Sequence, residues 1–168
     1  FAMGNASFDV STGADARRLT GNWVSGDYFL TLGVQPVLGR LFSAADDRRG
    51  CASIAVLSHG LWQSEYGGAV DVIGKTITMD DRAFKIVGVA PAGFGGTTVG
   101  RSIQIFAPLC SISRSGSGGM LDARSTWFLH VMARLRPGVT AEQARTRLAT
   151  MAPGIMTGGA RRLGPHPA

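Results

Sequence analysis

Lys75-Thr-Ile-Thr-Met-Asp-Asp-Arg-Ala-Phe-Lys-Ile-Val-Gly-Val89 contains two strand-like runs, 75–79 and 83–89, separated by the short polar turn Asp80-Asp81-Arg82. β-Branched and aromatic residues suit a pleated, half-buried surface, and Asp suits the turn. This is the clearest hairpin in the chain, and it sets the expectation of antiparallel sheet. The composition agrees. Glycine supplies 24 of 168 residues, about twice the usual ~7%, and charged residues make up 17% against a typical ~25%. A coiled coil or helical bundle would be rich in Glu, Lys and Leu and poor in Gly. At 45% hydrophobic residues the chain can build a core. The glycines show no Gly-x-y period, which excludes collagen.

Working outward, 17–25 alternates polar and apolar residues and predicts a strand. Ser25 then caps a helical turn, 27–32, which Gly33 ends. Residues 36–42 form a compact, turn-rich link and 43–50 a polar loop. Residues 53–57 predict a short buried strand; Ser58 caps a helix over 59–66 that stops at Gly67-Gly68, and 70–74 is a small turn. Beyond the hairpin, 91–100 is a Gly-rich loop. The run 103–109 is strand-like, with Pro108 implying that it ends at a sheet edge. Residues 111–119 are flexible in composition. Residues 127–135 predict a strand. Thr140 and Gln143 make a capping box that opens a helix running to about 152, where Pro153-Gly154 ends it. Strands and helices mix without βαβ alternation. The expected fold is therefore α+β, a mainly antiparallel or mixed sheet with a few short helices, in one unit or two small lobes. The expected division is a lead-in at 1–16, a core at 17–152 and an irregular tail at 153–168. The chain starts without Met and reads as a piece of a longer protein.

The formal net charge is +6, and its distribution is uneven. Residues 1–84 carry 7 basic and 9 acidic groups, and residues 85–168 carry 10 and 2. A basic half can meet nucleic acid or anionic lipid. Its arginines are spread among apolar positions, however, with Arg161-Arg162 the densest cluster. A solvated basic face is therefore the preferred reading, and no nucleic-acid partner is expected. No stretch reaches the ~18 apolar residues of a membrane span.

None of the motifs that could carry chemistry is complete. Gly95-Gly-Thr-Thr-Val-Gly100-Arg101-Ser102 approaches a phosphate loop but has Arg101 in the lysine position and is followed by a strand rather than a helix. Gly93-Phe-Gly95 begins a dinucleotide fingerprint that fails at Thr98. His59, His130 and His166 share no metal spacing. Ser58-His59 lacks a nucleophile elbow. Asp46-Asp47 and Asp80-Asp81 lie in polar turns, without the apolar setting that would raise a carboxyl pKa. Cys51 and Cys110 are too few for a zinc site; one disulfide and two separate buried thiols both remain open. No catalytic, cofactor-binding or metal residue is assigned, no cofactor is expected, and the chain is not expected to be an enzyme.

An ordered series of segments does point somewhere. It runs Val24-Ser-Gly-Asp-Tyr-Phe-Leu-Thr-Leu-Gly-Val34, Pro36-Val-Leu-Gly-Arg-Leu-Phe42, Asp46-Asp47, Ala55-Val-Leu-Ser-His-Gly-Leu-Trp62 and Val72-Ile-Gly-Lys-Thr-Ile-Thr78. It continues with Phe84-Lys-Ile-Val-Gly-Val-Ala-Pro91 plus Gly93-Phe94, and ends with Leu135-Arg-Pro-Gly-Val-Thr-Ala-Glu-Gln-Ala144. The series resembles the MacB-like periplasmic core domain of bacterial ABC-transporter permeases, nearest the acidobacterial-type permeases of the FtsX-like superfamily. The resemblance covers roughly residues 17–152; each motif is weak alone, and their order and spacing make the set specific. The stretch after Pro153 departs from the expected return to the membrane.

The resemblance implies a domain between two transmembrane helices, on the periplasmic side of the inner membrane. Its implied partners are the remainder of the permease and a cytoplasmic ATPase, with a periplasmic adaptor protein as a further candidate. It also implies a non-catalytic role, coupling motion of the membrane helices to substrate export or partner docking. In that setting Gly33 and Gly39 suit sharp turns around a Tyr28-Phe29 anchor, Trp62 buries a large area, and the Asp80–Arg82 hairpin is a projecting arm. The competing expectation is a free-standing binding module that uses the basic C-terminal half.

Overall fold

Strand β1 (Ala2–Thr12) pairs antiparallel with β2 (Asp15–Val24) over the full run from Met3↔Val24 to Thr12↔Asp15. The segment set aside as a lead-in is thus the longest strand of the sheet. The computed structural model describes residues 1–12, 15–48, 50–112, 121 and 127–160. The chain divides into two units, Phe1–Met132 and Ala133–Ala168. After β2 the first unit continues through helix α1 (Tyr28–Leu32), β3 (Leu38–Gly39), β4 (Ile54–Leu57), α2 (His59–Tyr66), β5 (Thr76–Met79), β6 (Arg82–Val89), β7 (Ile105–Pro108) and β8 (His130–Val131).

Six of these strands close into a ring. β1 pairs β2, β2 pairs β7, β7 pairs β4, β4 pairs β6, β6 pairs β5, and β5 returns to β1 through Val10↔Met79 and Ser11↔Thr78. The β2–β7 and β4–β6 pairs are parallel and the others antiparallel, so the sheet is mixed. β3 adds to β6, and β8 adds to β1.

Period-two alternation then sorts the side chains into two cores. One cluster takes residues from every strand of the ring, among them Phe8, Leu19, Leu57, Met79, Ile86 and Ile105, and so fills its interior. Leu61 and Trp62 of α2 join this cluster, and Trp62 Nε1 donates to the Ala69 carbonyl at 2.9 Å. The second cluster lies on the outer face, where Val24, Val56 and Phe106 meet Tyr28 and Phe29 of α1 and Phe42. This explains why all four residues of β4 and all four of β7 are buried. Each such large apolar side chain contributes about 1.5–3 kcal/mol on burial.

Local expectations are met where the signal was chemical. Ser58 Oγ accepts from Leu61 N at 3.1 Å and caps α2, which Gly67 ends in the left-handed conformation. Gly33 ends α1 in the same way. The hairpin turn is two residues long, with Met79↔Arg82 as the last pair, and Asp80 and Asp81 both have positive φ (49° and 60°). That twist matches the flanking strands.

Four expectations are corrected. Ser25 does not cap α1: its hydroxyl accepts from Ala2 N at 2.9 Å, and Asp27 holds the cap position. The hairpin is not a projecting arm, because Asp80 N donates to the Asp9 carbonyl and Asp80 Oδ1 accepts from Asp9 N, both at 2.9 Å. β7 is an interior strand of the ring, and Pro108 is tolerated as its last residue, beyond the β4 pairing. Of 127–135 only His130–Val131 is strand, paired with Met3 and Ala2 of β1.

Gly39 and Gly88 meet across the β3–β6 pair. A Cβ at Gly88 would stand 1.9 Å from the Arg40 carbonyl oxygen, and one at Gly39 would stand 2.3 Å from that of Val87. Only glycine allows these backbones to touch. The approach adjoins a register shift in the β4–β6 pairing, in which Val87 is the extra residue.

In the second unit α3 (Ala141–Ala160) opens with the expected capping box: Thr140 Oγ1 accepts from Gln143 N, and Gln143 Oε1 accepts from Thr140 N. The helix runs through Pro153 instead of ending there. Proline removes one N–H from the interior ladder without obliging the remaining turns to stop. The expected tail thus contributes helix up to residue 160; 161–168 lie outside the described residues, as does most of the 111–119 loop.

Cys51 and Cys110 form a disulfide with a Cα separation of 6.0 Å, which resolves the alternative left open by the sequence. It closes a long loop, tying the approach to β4 to the 3₁₀ turn after β7. For the sequence separation of 59, removing the cross-link from the unfolded chain's constraints is expected to lower stability by up to about 4 kcal/mol. Urea unfolding of the double variant Cys51→Ser/Cys110→Ser, against the oxidised parent, measures this. The hairpin gives a second expectation of opposite sign. Asp81→Gly places glycine where φ is positive and is expected to raise stability by about 0.5–1 kcal/mol in the same assay.

Candidate functional site

β4 delivers the chain to Ser58, whose N–H donates to the Gln104 carbonyl at 2.8 Å. α2 starts there, beside the long loop 91–102 that links β6 to β7. Between them lies an open depression of about 330 Å³, lined by 58–60, 91–95 and Ser102. The His59 ring is half-buried and set edge-on to Trp62, with centroids 5.4 Å apart. The Ser58 hydroxyl is engaged as the helix cap. Ser58 and His59 are therefore neighbours in sequence with separate structural tasks, and do not form a nucleophile–base pair.

Beneath the same loop lies a buried polar group. Asn22, in the middle of β2, is fully buried, and neither its Oδ1 nor its Nδ2 has a hydrogen-bond partner. The Tyr28 hydroxyl is also buried and makes no hydrogen bond of good geometry. Burial pushes that phenol above its usual pKa, opposed by Thr97 and Asn22 standing beside it. Thr97 Oγ1 itself donates to Met3 Sδ at 2.8 Å. Sequence reasoning passed over Asn22 because, in the alternation Thr20-Gly-Asn-Trp-Val24, a polar residue reads as solvent-facing. The available signal was that Val24, on the same face, is apolar.

The acidic pairs hold the fold together. Asp46 accepts from Arg40 through both carboxylate oxygens at 2.8 Å and from Ser43 N and Oγ at 2.9 Å. These bonds, with Arg40 the largest influence, hold its carboxyl below the usual range. Asp47 joins Gly26 N to Cys110 N, each at 3.1 Å, and so braces α1 against the disulfide. Asp80 holds β1, as described above.

The phosphate-loop-like stretch 95–102 passes into β7 and presents no helix N-terminus at Ser102. His130 is exposed on β8; His166 and Arg161-Arg162 lie outside the described residues. Among the described residues no group of three or more His, Cys, Asp or Glu side chains is placed to hold a metal. No described helix is long and apolar enough to cross a membrane.

Comparison with known proteins sets these features in a class. The fold is shared with the crystallised periplasmic region of MacB from Actinobacillus actinomycetemcomitans, at 16% identity and a TM-score of 0.63, covering 92% of this chain and 66% of that one. It is also shared with the extracellular domain of the noncanonic ABC-type transporter YknZ from Gram-positive bacteria, at 15% identity and a TM-score of 0.57, covering 91% and 75%. The class is the periplasmic domain of a MacB-like ABC-transporter permease. The family model of the MacB-like periplasmic core domain matches residues 2–151, β1 included, and the chain belongs to that family. In sequence it is 26% identical over 136 residues to the macrolide export ATP-binding/permease protein MacB of Salmonella typhi, and 25% over 133 residues to that of Shigella dysenteriae. Those stretches are 77% of this chain, and the chain spans about a fifth of each relative (19%).

The Asp46 cluster generates a pH expectation. Its folded pKa is depressed, so its stabilisation is fully present above the unfolded carboxyl value of ~3.9 and is lost as pH falls through the folded value. Asp46→Asn is expected to lower stability at pH 7 by about 1–2 kcal/mol, a figure held down because Arg40 is half-exposed, and to flatten the loss of stability below pH ~4. Unfolding free energies measured from pH 7 to pH 3 check both parts.

Proposed function

We propose that this chain is the non-catalytic extracytoplasmic domain of an ABC-transporter permease, which passes motion of the membrane helices to substrate export or to a docked partner. The observation that carries the reading is mechanical. A closed ring packed on its inner face throughout, and covered on the outer face of β7 and β4, resists shear and moves as one body. The disulfide fits an oxidising compartment such as the periplasm. Ser58, Asp46, Asp47 and Asp80 are each committed to a structural bond, consistent with a domain that catalyses nothing itself. Its partners on this reading are the remaining permease and a cytoplasmic ATPase, with a periplasmic adaptor as a further one.

Two measurements test this. The gene is expected to encode apolar spans of ~20 residues on both sides of this region. Excising residues 2–151 from the complete permease, reconstituted with its ATPase in proteoliposomes, is expected to abolish export while ATP hydrolysis persists. Soluble flanks, or export that survives excision, would overturn the proposal. If the domain is instead a binding module using its basic half, it will be retained on heparin in a steeply salt-dependent way.

A further inference from the structure

A buried carboxamide with both its donor and its acceptor unpaired is expensive, and native interiors keep few of them. Asn22 comes close to such a group: neither its Oδ1 nor its Nδ2 makes a hydrogen bond of good geometry, and the Tyr28 hydroxyl stands beside it. Asn22 sits on β2, between β1 and β7, with Met3, Val24 and Phe106 around its level of the outer cluster. An apolar residue of the same shape would satisfy every packing need at that position.

What covers Asn22 is a loop, neither strand nor helix. At Gly96 the loop 91–102 passes directly over the amide: a Cβ there would stand 3.7 Å from Asn22 Nδ2 and 2.7 Å from Ile103 Cγ1, at a φ of +95°. The loop is flanked by Gly93 and Gly100, both at positive φ and both with open space where a side chain would project. The loop is tied to β1 by Thr97 Oγ1 to Met3 Sδ, a bond in which the thioether is a weak acceptor, and to the chain entering β7 by Ile103 N to the Gly95 carbonyl at 3.1 Å. Phe94 and Gly95, at the start of the same loop, already line the open depression at the start of α2. Phe94 also packs on Tyr28, Phe29 and Phe106.

We propose that Asn22, Tyr28 and Thr97 form a lidded binding site, with loop 91–102 as its cover, for a ligand that joins an amide group to an aromatic or aliphatic body. The chemistry follows from the groups. Asn22 offers an acceptor and a donor side by side on one plane, and the complement of that pair is another amide. The Tyr28 and Thr97 hydroxyls can each give or take one more hydrogen bond. Displacing Phe94 from the ring cluster opens an apolar wall continuous with the depression. The unpaired amide is then a stability deficit that the ligand removes on binding, as at other sites where a fold tolerates a locally unfavourable residue for function.

The test uses the 168-residue chain, ¹⁵N-labelled, and N-acetylphenylalaninamide as probe, with ethylbenzene as the control that has the apolar body and lacks the amide. The probe is expected to shift the Asn22 side-chain amide resonances and the backbone resonances of 94–97, and ethylbenzene to leave the Asn22 amide unmoved. Asn22→Leu is expected to raise the melting temperature by about 2–6 °C, because it replaces an unpaired amide by an isosteric apolar group, and to abolish the probe's effect on 94–97. Thr97→Val, which leaves Asn22 in place, is expected to weaken the probe's effect at least threefold in apparent Kd. A fall in melting temperature for Asn22→Leu would show that the amide is internally satisfied, by a trapped water or otherwise, and would overturn the proposal. So would probe shifts at 94–97 that are the same in Asn22→Leu, or a parent protein in which the probe moves neither Asn22 nor the loop.

Discussion

Closure of the ring through β1 is the constraint on which the rest of the first unit depends. β1 pairs with β2 along one edge and, through Val10 and Ser11, with β5 along the other. It also supplies Phe8 and Val10 to the inner cluster. Without it β2 and β5 would be open edges, each a row of unpaired backbone groups able to pair between chains. The interior would also lose an aromatic side chain that stands edge-on to Trp23, with centroids 4.9 Å apart. Closure allows two short strands, β4 and β7, to be apolar on both faces. Such strands are stable only when every neighbour is present and both layers are covered.

The close contact of Gly39 with Gly88 is a consequence of that closure. A ring of six short strands must turn tightly, and the extra residue at Val87 supplies local twist where β6 passes from β4 to β3. The backbones meet there with no room for a side chain. Below this corner the Arg40–Asp46 pair and the Asp47 bridge fasten the 43–50 loop to α1 and to the disulfide. The polar loops are thus tied by charge-assisted bonds where the apolar layers end.

The parts of this structure legible in the sequence are those in which one residue type performs one local task. Ser58 as a helix cap, Gly33 and Gly67 as left-handed ends, the Asp80-Asp81 turn and the Thr140–Gln143 capping box all follow from side-chain chemistry within four residues. The ordered motif series carried the family in the same way, and the family model confirms it. Features that depend on long-range pairing were hidden. β1 does carry a strict alternation, Ala6-Ser-Phe-Asp-Val-Ser11, with Phe8 and Val10 buried, but its Gly- and Asn-containing start and the absence of a turn signal before it left its extent to be set by pairing with β2. Residues 127–135 are rich in apolar and aromatic residues and yet pair with β1 over only two residues, Ala2↔Val131 and Met3↔His130. Pro108 read as an edge marker because propensity does not reveal that a ladder can stop two residues before an interior strand does. Asn22 is not singled out because the sequence does not show that α1 and loop 91–102 fold back over that face.

Rigidity and softness are therefore distributed unequally. The ring, the disulfide and the Asp46–Asp47 bridges bind β2, β4 and β7 into one body, whereas loop 91–102 spans the same strands with glycine at both ends and a hydroxyl–thioether contact in its middle. A domain that only transmitted force would gain by filling that loop's footprint with apolar side chains. Asn22 and Tyr28 do the reverse, placing buried polar atoms with no well-formed hydrogen bond beneath loop 91–102. The same body can then carry motion through its strands and respond to chemistry at its loop, since opening the loop breaks no strand pairing and exposes no inner-core residue.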